Sequence, residues 1–378
     1  MTASEKPLRP RVLYFINSFD LGGAELGLVQ LVEGGVFAGC DLRIVAIVRG
    51  RGGLEEKLAA VGHAPSMLLD KPRMRVSDLA FAAIRFRRLL ARQQPDLLIL
   101  SLPQANLIGR LCAGRRRPPI VASFEHNTHL AKPLYEVGYR WTSPRVDWLL
   151  ADSANTADEA RRRLYRHAPP TTTIVPLVEF KEGARKPRAT SSSSAPFHIV
   201  NAARLTPIKN QAAIIEAVAL LVERGRDVRL TLYGEGAYHA ACKAHVDKLH
   251  LESRIEFAGY VADWMAQPAD LFVLSSKHEG LCMSVLEAMH AGIPVAAPLI
   301  GGLRDYGGAD VMTTLASIEP QAIADAVEAV MNDRPAANAK AVAAAEMVSR
   351  RYGAATIAAS YRQINQLIIA KCAAARTS

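Results

Sequence analysis

One pattern, met twice, constrains this chain more than any other. A short run of apolar, β-favouring residues gives way to a polar loop, and the loop to a segment with helical apolar spacing. Residues 12–16 form the first such run, Gly22 and Gly23 lie in the loop after it, and residues 24–37 carry Leu28, Leu31 and Val32 on one helical face. Residues 42–48 read as the next strand. Helices are expected near 54–61 and 77–93, with strands at 97–100, 120–123 and 148–151. The pattern restarts at Phe197: strands at 199–202, 229–233, 254–257, 271–274 and 294–297, and a helix at 210–224. Continuous apolar strands alternating with helices are the signature of parallel sheets covered on both faces. The chain therefore reads as α/β, with two Rossmann-like doubly wound domains facing a central cleft. Expected boundaries are 1–180 for the first domain, a polar Pro/Ser-rich linker at 181–197, and 198–378 for the second with its C-terminal helices. Ligands of such sheets bind beyond the carboxyl ends of the strands, so the residues just after each strand matter most.

Charge narrows the partners. The net charge is +10, but it is uneven: 25 basic against 17 acidic residues in the first 180 positions, and 21 against 19 in the rest. The first half should favour an anionic surface, be it phosphorylated substrate, lipid or nucleic acid. Arg85, Arg88 and Arg92 share one stripe of the helix at 77–93, opposite an expected buried face of Leu79, Ala82, Phe86, Leu89 and Leu90, and Arg115, Arg116 and Arg117 add a second cluster. Such a stripe is either a solvated helix face or a docking surface for anionic lipid. No recognised module or stacking aromatics accompany the arginines, so nucleic acid ranks last. Five scattered cysteines without a C-x-x-C pair argue against a disulfide framework or zinc site and fit a reducing compartment. No stretch approaches the ~18 apolar residues of a spanning helix. The expected location is the cytoplasm, with association at the inner face of the membrane left open.

The second half places four pieces after strands. Arg204 and Lys209 stand between a strand and a helix start, where cations and free N–H groups suit a diphosphate. Gly234-Glu235-Gly236 follows the strand at 229–233 and, taken alone, is better read as a plain turn. Glu279-Gly280-Leu281-Cys282-Met283 leads into a helix starting near Met283 that carries Glu287 and ends before Gly292. Glu279 and Glu287 thus bracket a helix N-terminus whose N–H groups would face an anion, while carboxylates accept hydrogen bonds from hydroxyls. Phosphate beside sugar hydroxyls is the chemistry of a nucleotide sugar. Gly301-Gly302 follows the strand at 294–297 and either flanks the same cleft or is a turn.

Arg204…Lys209, Gly234-Glu235-Gly236, Phe257-Ala258-Gly259-Tyr260 and the Glu279…Glu287 pair, in that order, resemble glycosyltransferase family 4, the retaining enzymes of the GT-B fold. Glu279 and Glu287 match its E-x7-E motif, and residues 286–295 extend the match. The resemblance is close over 199–308 and weaker at Gly22-Gly23-Ala24-Glu25. It implies that Arg204 and Lys209 hold the donor diphosphate and stabilise the leaving group. Glu287 would bind the ribose hydroxyls and Glu279 those of the transferred sugar. Gly259 and its neighbours would line the base pocket, and the Gly22-Gly23 loop would approach the donor phosphates. It further implies a histidine near the donor sugar after the strand at 120–123, which His126 fills here with His129 as the alternative. Departing nucleoside diphosphate needs fixed positive charge more than a strong nucleophile. The chain has no Asp-x-Asp motif, so no metal is expected and the nucleotide sugar is a co-substrate, not a resident cofactor. Ala203 stands where the family has Gly, and Ile174-Val175-Pro176-Leu177-Val178-Glu179 replaces its usual Asn-Gly-Val-Asp, which puts the hinge contacts in question. The expectation is a retaining hexosyltransferase acting on a glycan or glycolipid acceptor, a lipid-linked or envelope polysaccharide precursor. The alternatives are a sugar-nucleotide epimerase, a phosphorylase, or a non-catalytic nucleotide-sugar-binding protein.

Overall fold

The computed structural model describes residues 9–20, 22–75, 77–113, 118–126, 133–167, 169, 171–180 and 195–377. His129, the Arg115–Arg117 cluster and linker residues 181–194 lie outside the described residues. The chain divides into two compact units, Met1–Glu179 with Ala355–Ser378, and Phe180–Ala354.

Unit 1 alternates β1 (Arg11–Ile16), α1 (Gly23–Glu33), β2 (Asp41–Val48), α2 (Leu54–Ala60), β3 (Ser66–Leu69), α3 (Asp78–Gln93), β4 (Leu97–Ser101), α4 (Pro103–Cys112), β5 (Ile120–Glu125), α5 (Pro133–Thr142), β6 (Trp148–Ala151), α6 (Ala154–Arg163) and β7 (Thr171–Ile174). Its seven parallel strands are ordered β3-β2-β1-β4-β5-β6-β7. Unit 2 continues with β8 (Phe197–Ala202), α7 (Gln211–Glu223), β9 (Val228–Tyr233), α8 (His239–Lys248), β10 (Ile255–Gly259), β11 (Leu271–Val273), α9 (Met283–His290), β12 (Val295–Ala297), α10 (Leu303–Tyr306), β13 (Thr313–Thr314), α11 (Pro320–Asn332) and α12 (Arg334–Tyr352). Its six parallel strands are ordered β10-β9-β8-β11-β12-β13. Each sheet reverses direction once, between β1 and β4 and between β8 and β11. Those two reversals are the switch points at which doubly wound sheets open for ligands.

The apolar runs become the buried centres of both sheets: all five residues of β4 and all six of β8 are buried. Three strands went unread in the sequence, β3, β7 and β13, and each is an edge strand. An edge strand is covered on fewer sides, so β7, sequence TTTI, shows no continuous apolar run. α1 stops at Glu33, short of the expected residue 37, because Gly34 and Gly35 break it, Gly35 in the left-handed region at φ 77°.

The chain's end departs from its order. α13 (Ala354–Thr377) belongs with unit 1, not with the second half as the sequence order suggested. Side chains explain this. Tyr361 donates to Pro176 O (2.9 Å), Asn365 Nδ2 to Val36 O and Ala38 O (2.9 Å each), and Arg376 Nη2 to Asp96 Oδ2 (2.6 Å). Burial works to raise the Asp96 pKa, but Arg376 and the Arg11 N–H outweigh it and hold the carboxyl below its ordinary value. The Tyr361 ring lies against Gly34, where an added Cβ would come within 2.2 Å of it.

Candidate functional site

In unit 2 the four loops foreseen from the sequence meet at the β8/β11 reversal. The β8 loop is joined to the β9 loop through backbone, Ala203 N donating to Tyr233 O (3.0 Å) and Leu205 N to Glu235 O (3.0 Å), and the β9 loop is joined to the end of β10 by Gly234 N donating to Gly259 O (2.7 Å). Gly234 has φ 126°, and a Cβ there would lie 2.1 Å from Ala203 O, so only glycine allows this approach. The β11 loop crosses beside it. Lys277 N donates to Ile208 O (2.8 Å), and Ser275 Oγ to Asn210 O (2.9 Å). The β12 loop closes the group, with Gly302 N donating to Gly280 O (2.6 Å) and Gly301 (φ 50°) placed where a Cβ would be 2.0 Å from Glu279 O. Gly301-Gly302 is thus part of the constellation rather than a separate turn.

Within this frame Lys209 Nζ meets Glu279 Oε1 at 2.6 Å, the carboxylate buried and the ammonium partly exposed. Arg204 is exposed on the same loop, its carbonyl accepting from Gln211 Nε2 (3.1 Å). The loop after β11 reaches α9 through Leu281 and Cys282. Cys282 is its N-cap at φ 59°, an unusual conformation for a residue with a Cβ. Tyr306 sustains it, donating to Leu281 O (2.7 Å) with Cys282 O 3.1 Å away. No side chain caps α9, and its helix begins at Met283 as expected. Burial pushes the Cys282 thiol pKa up, so this cysteine is a packing residue and not a thiolate.

Glu287 sits one turn into α9 and accepts a hydrogen bond from Trp264 Nε1 (3.0 Å). Burial raises its pKa, and the indole N–H opposes that in part. Trp264 is itself buried against Phe272 and Tyr233, ring centroids 5.2 and 6.1 Å away. It escaped the sequence reading, since nothing local marks a tryptophan between β10 and β11 as a partner of a glutamate 23 positions on. Beyond Gly259 the side chain of Tyr260 is exposed.

In unit 1, Gly22 is the N-cap of α1 and Gly23 its first residue, at the carboxyl end of β1. A Cβ on Gly22 would meet the Glu25 carboxylate at 2.5 Å. His126 follows β5 directly. Its Nε2 lies 3.0 Å from Ser101 Oγ and its Nδ1 3.8 Å from Asp152 Oδ2. On the other face of β5 is a polar core that sequence reasoning did not anticipate. Arg110 is 0% exposed; its Nη2 donates to Ser123 Oγ (2.6 Å), Tyr165 Oη (2.8 Å) and Glu125 Oε1 (3.1 Å), and its guanidinium lies 4.2 Å from the Tyr139 ring centre. One arginine of the basic half therefore faces inward. Arg85, Arg88 and Arg92 are exposed on α3 opposite buried Ala82, Phe86 and Leu90, while Leu79 and Leu89, expected on the same buried face, are half-buried at its margins. Among the described residues no three His, Cys, Asp or Glu side chains cluster as metal ligands.

Comparison with known proteins finds matches in both halves of the chain. The family described as "Glycosyl transferases group 1" matches residues 184–347, and "Glycosyl transferase 4-like domain" matches 22–177. The protein EpsD of Bacillus subtilis is 30% identical over 242 residues, 58% of this chain and 63% of that protein. The match thus spans less than two thirds of that relative. A GDP-mannose-dependent alpha-mannosyltransferase of Mycolicibacterium smegmatis is 27% identical over 259 residues, 65% of this chain and 66% of the other. In fold, the chain superposes on Anabaena HepE in complex with UDP-glucose with a TM-score of 0.73 at 19% identity, covering 96% of this chain and 99% of that one. The chain has the GT-B fold, and each of its halves matches a glycosyltransferase family model.

Proposed function

We propose that this protein is a retaining glycosyltransferase of family 4 that moves a hexose from a nucleotide diphosphate sugar to an acceptor hydroxyl. The observation that carries the reading is the Lys209–Glu279 pair on backbone-zipped loops at the β8/β11 reversal, with Glu287 one turn into the helix that follows them. Lys209 and Arg204 supply fixed positive charge for a departing diphosphate, α9 adds uncapped N–H groups, and the two glutamates offer carboxylates to sugar hydroxyls. These groups stabilise the leaving group electrostatically, and we take the reaction to need no metal. UDP- and GDP-sugars are the first donors to try, given the UDP-glucose complex of HepE and the GDP-mannose dependence in the name of the mycobacterial relative.

A lipid-linked or envelope polysaccharide precursor is the proposed acceptor, and the surface of α5 supports it. Leu134, Val137 and Trp141 are 76%, 62% and 60% exposed at helical spacing. Exposed Arg140 flanks them, and the Arg145 guanidinium lies 5.4 Å from the Trp141 ring centre. An apolar stripe with an interfacial tryptophan between arginines suits the headgroup region of an anionic membrane. Among the described residues no helix is long and apolar enough to cross one.

The test has two parts. Purified protein should release nucleoside diphosphate from a UDP- or GDP-sugar only when an acceptor is present, including after treatment with EDTA. Turnover of donor without acceptor would point to an epimerase, a requirement for free phosphate to a phosphorylase, and binding without turnover of any common donor would overturn transfer. In sedimentation, anionic but not zwitterionic vesicles should carry the protein down, and Trp141→Ser should weaken this.

A further inference from the structure

Three successive strands of unit 1 deliver one polar side chain each to the same point. Ser101 ends β4, His126 follows β5, and Asp152 follows β6. The register makes this possible: Glu125 pairs with Ala151, so the next residues, His126 and Asp152, leave neighbouring strands side by side. Side chains alternate across a strand. Glu125 therefore turns to Arg110 on one face while His126 turns to the other. There the ring rests on Phe124, centroids 4.2 Å apart, and its nitrogens look in opposite directions, Nε2 at Ser101 Oγ (3.0 Å) and Nδ1 at Asp152 Oδ2 (3.8 Å). The His126 and Asp152 side chains are 9% and 5% exposed, and Ser101 is fully buried. Neither His126 Nδ1 nor Asp152 Oδ1 has a hydrogen-bond partner among the described residues.

We propose that Asp152 and Ser101 are positioning residues that lock the orientation and tautomer of His126. A buried imidazole nitrogen is costly to leave unpaired, and the nearest acceptor to Nδ1 is Asp152 Oδ2. A small rotation of the ring closes the 3.8 Å gap and satisfies Nδ1. The carboxylate only accepts, so Nδ1 must carry the proton and Nε2 must accept from the Ser101 hydroxyl. With both nitrogens engaged, the ring acts as a rigid prop. It holds the carboxyl edge of β5 from one side, as the Arg110–Glu125 pair does from the other. Buried Ser101 is too enclosed to be a nucleophile, so the Ser–His–Asp resemblance does not imply hydrolysis.

The effect on catalysis rests on the glycosyltransfer reading; the structural effect does not, and two measurements separate them. Nitrogen-15 NMR of the full chain at mildly alkaline pH, with the His126 signals assigned through His126→Gln, should show His126 as the Nδ1–H tautomer. Asp152→Ala should return it to a mixture of tautomers, and the isosteric Asp152→Asn, which can donate to Nδ1, should favour the Nε2–H form. An Nε2–H tautomer in the unaltered protein, or a pattern indifferent to both substitutions, would overturn the proposal. In the transfer assay Asp152→Asn should lower kcat by up to about 10²-fold at unchanged donor KM, as displacement of a positioned group does. An unchanged kcat, with the tautomer shifted in NMR, would overturn the catalytic consequence and leave the lock standing. Absence of transfer in the unaltered protein would strike the functional reading alone.

Discussion

The two units share one topology and use it in opposite ways. In unit 2 the loops at the switch point are held by backbone: Ala203 to Tyr233, Leu205 to Glu235, Gly234 to Gly259 and Gly302 to Gly280, with glycines at the closest approaches. Its charged side chains, Lys209, Arg204 and Glu279, are left on the loops that this frame presents. In unit 1 the charge beside β5 is taken inside. Arg110, Glu125 and Tyr165 form a closed buried set, and the edge residue His126 is gripped by side chains. On the proposed function, a donor with a constant diphosphate and ribose suits the rigid backbone mould of unit 2. An edge held by side chains can be retuned by single substitutions, as the proposed encounter of unit 1 with a variable acceptor would require.

The comparison breaks most visibly at Arg110. Replacing it with Ala leaves Glu125 buried without its partner and should cost about 3–5 kcal/mol of stability, read as a large drop in Tm. The double variant Arg110→Met with Glu125→Gln should recover much of that loss. If Arg110→Ala is as stable as the unaltered protein, the polar core is not what holds β5. Lys209→Ala leaves the buried Glu279 carboxylate without its cation, so Tm should fall, though less than for Arg110→Ala because the ammonium is partly exposed, and kcat should drop by about 10²–10³-fold, the size expected for a donor aimed at developing charge. Gly301→Ala tests the backbone mould: its Cβ meets Glu279 O, so stability should fall by about 1–3 kcal/mol and nucleotide affinity with it, by thermal shift with UDP or GDP.

Smaller effects sharpen the role of Trp264. Trp264→Phe removes the indole N–H from Glu287 and should raise donor KM by about tenfold with kcat held. The same change removes the one contact that opposes the burial-raised pKa of Glu287, so donor affinity should fade at a higher pH than in the unaltered protein. Stability moves the other way. Because the folded pKa lies above the unfolded value, protonation favours the folded state, and the cost of the buried charge is relieved as pH falls through that pKa. Glu287→Gln should accordingly raise Tm slightly at neutral pH, flatten its pH dependence, and weaken donor binding.

Much of unit 2's site was legible because its signals are local. Gly234, Gly301, Glu279 and Glu287 each stand just after an apolar run or at a helix start, and the rule that ligands gather at strand carboxyl ends ties them together. Their partners were not legible. Nothing near Lys209 announces that it pairs with Glu279, 70 residues on, and nothing near Glu287 points to Trp264. The same holds in unit 1, where Ser101 reads as the polar end of an apolar strand and Asp152 as a residue before a helix.

By itself, then, the sequence determined the doubly wound halves, the positions of their central strands and the loops that meet at the switch point of unit 2. Those follow from periodicity, which reports whether a face is buried, and from glycine, which reports where the backbone must bend or approach closely. Only the tertiary structure decided that α13 returns to unit 1, that β3, β7 and β13 complete the sheets, that Arg110 turns inward, and that Asp152 faces His126. The physical reason is common to all four. Each depends on which distant surface a residue meets, and a local pattern of polarity records that a partner is needed without recording which one.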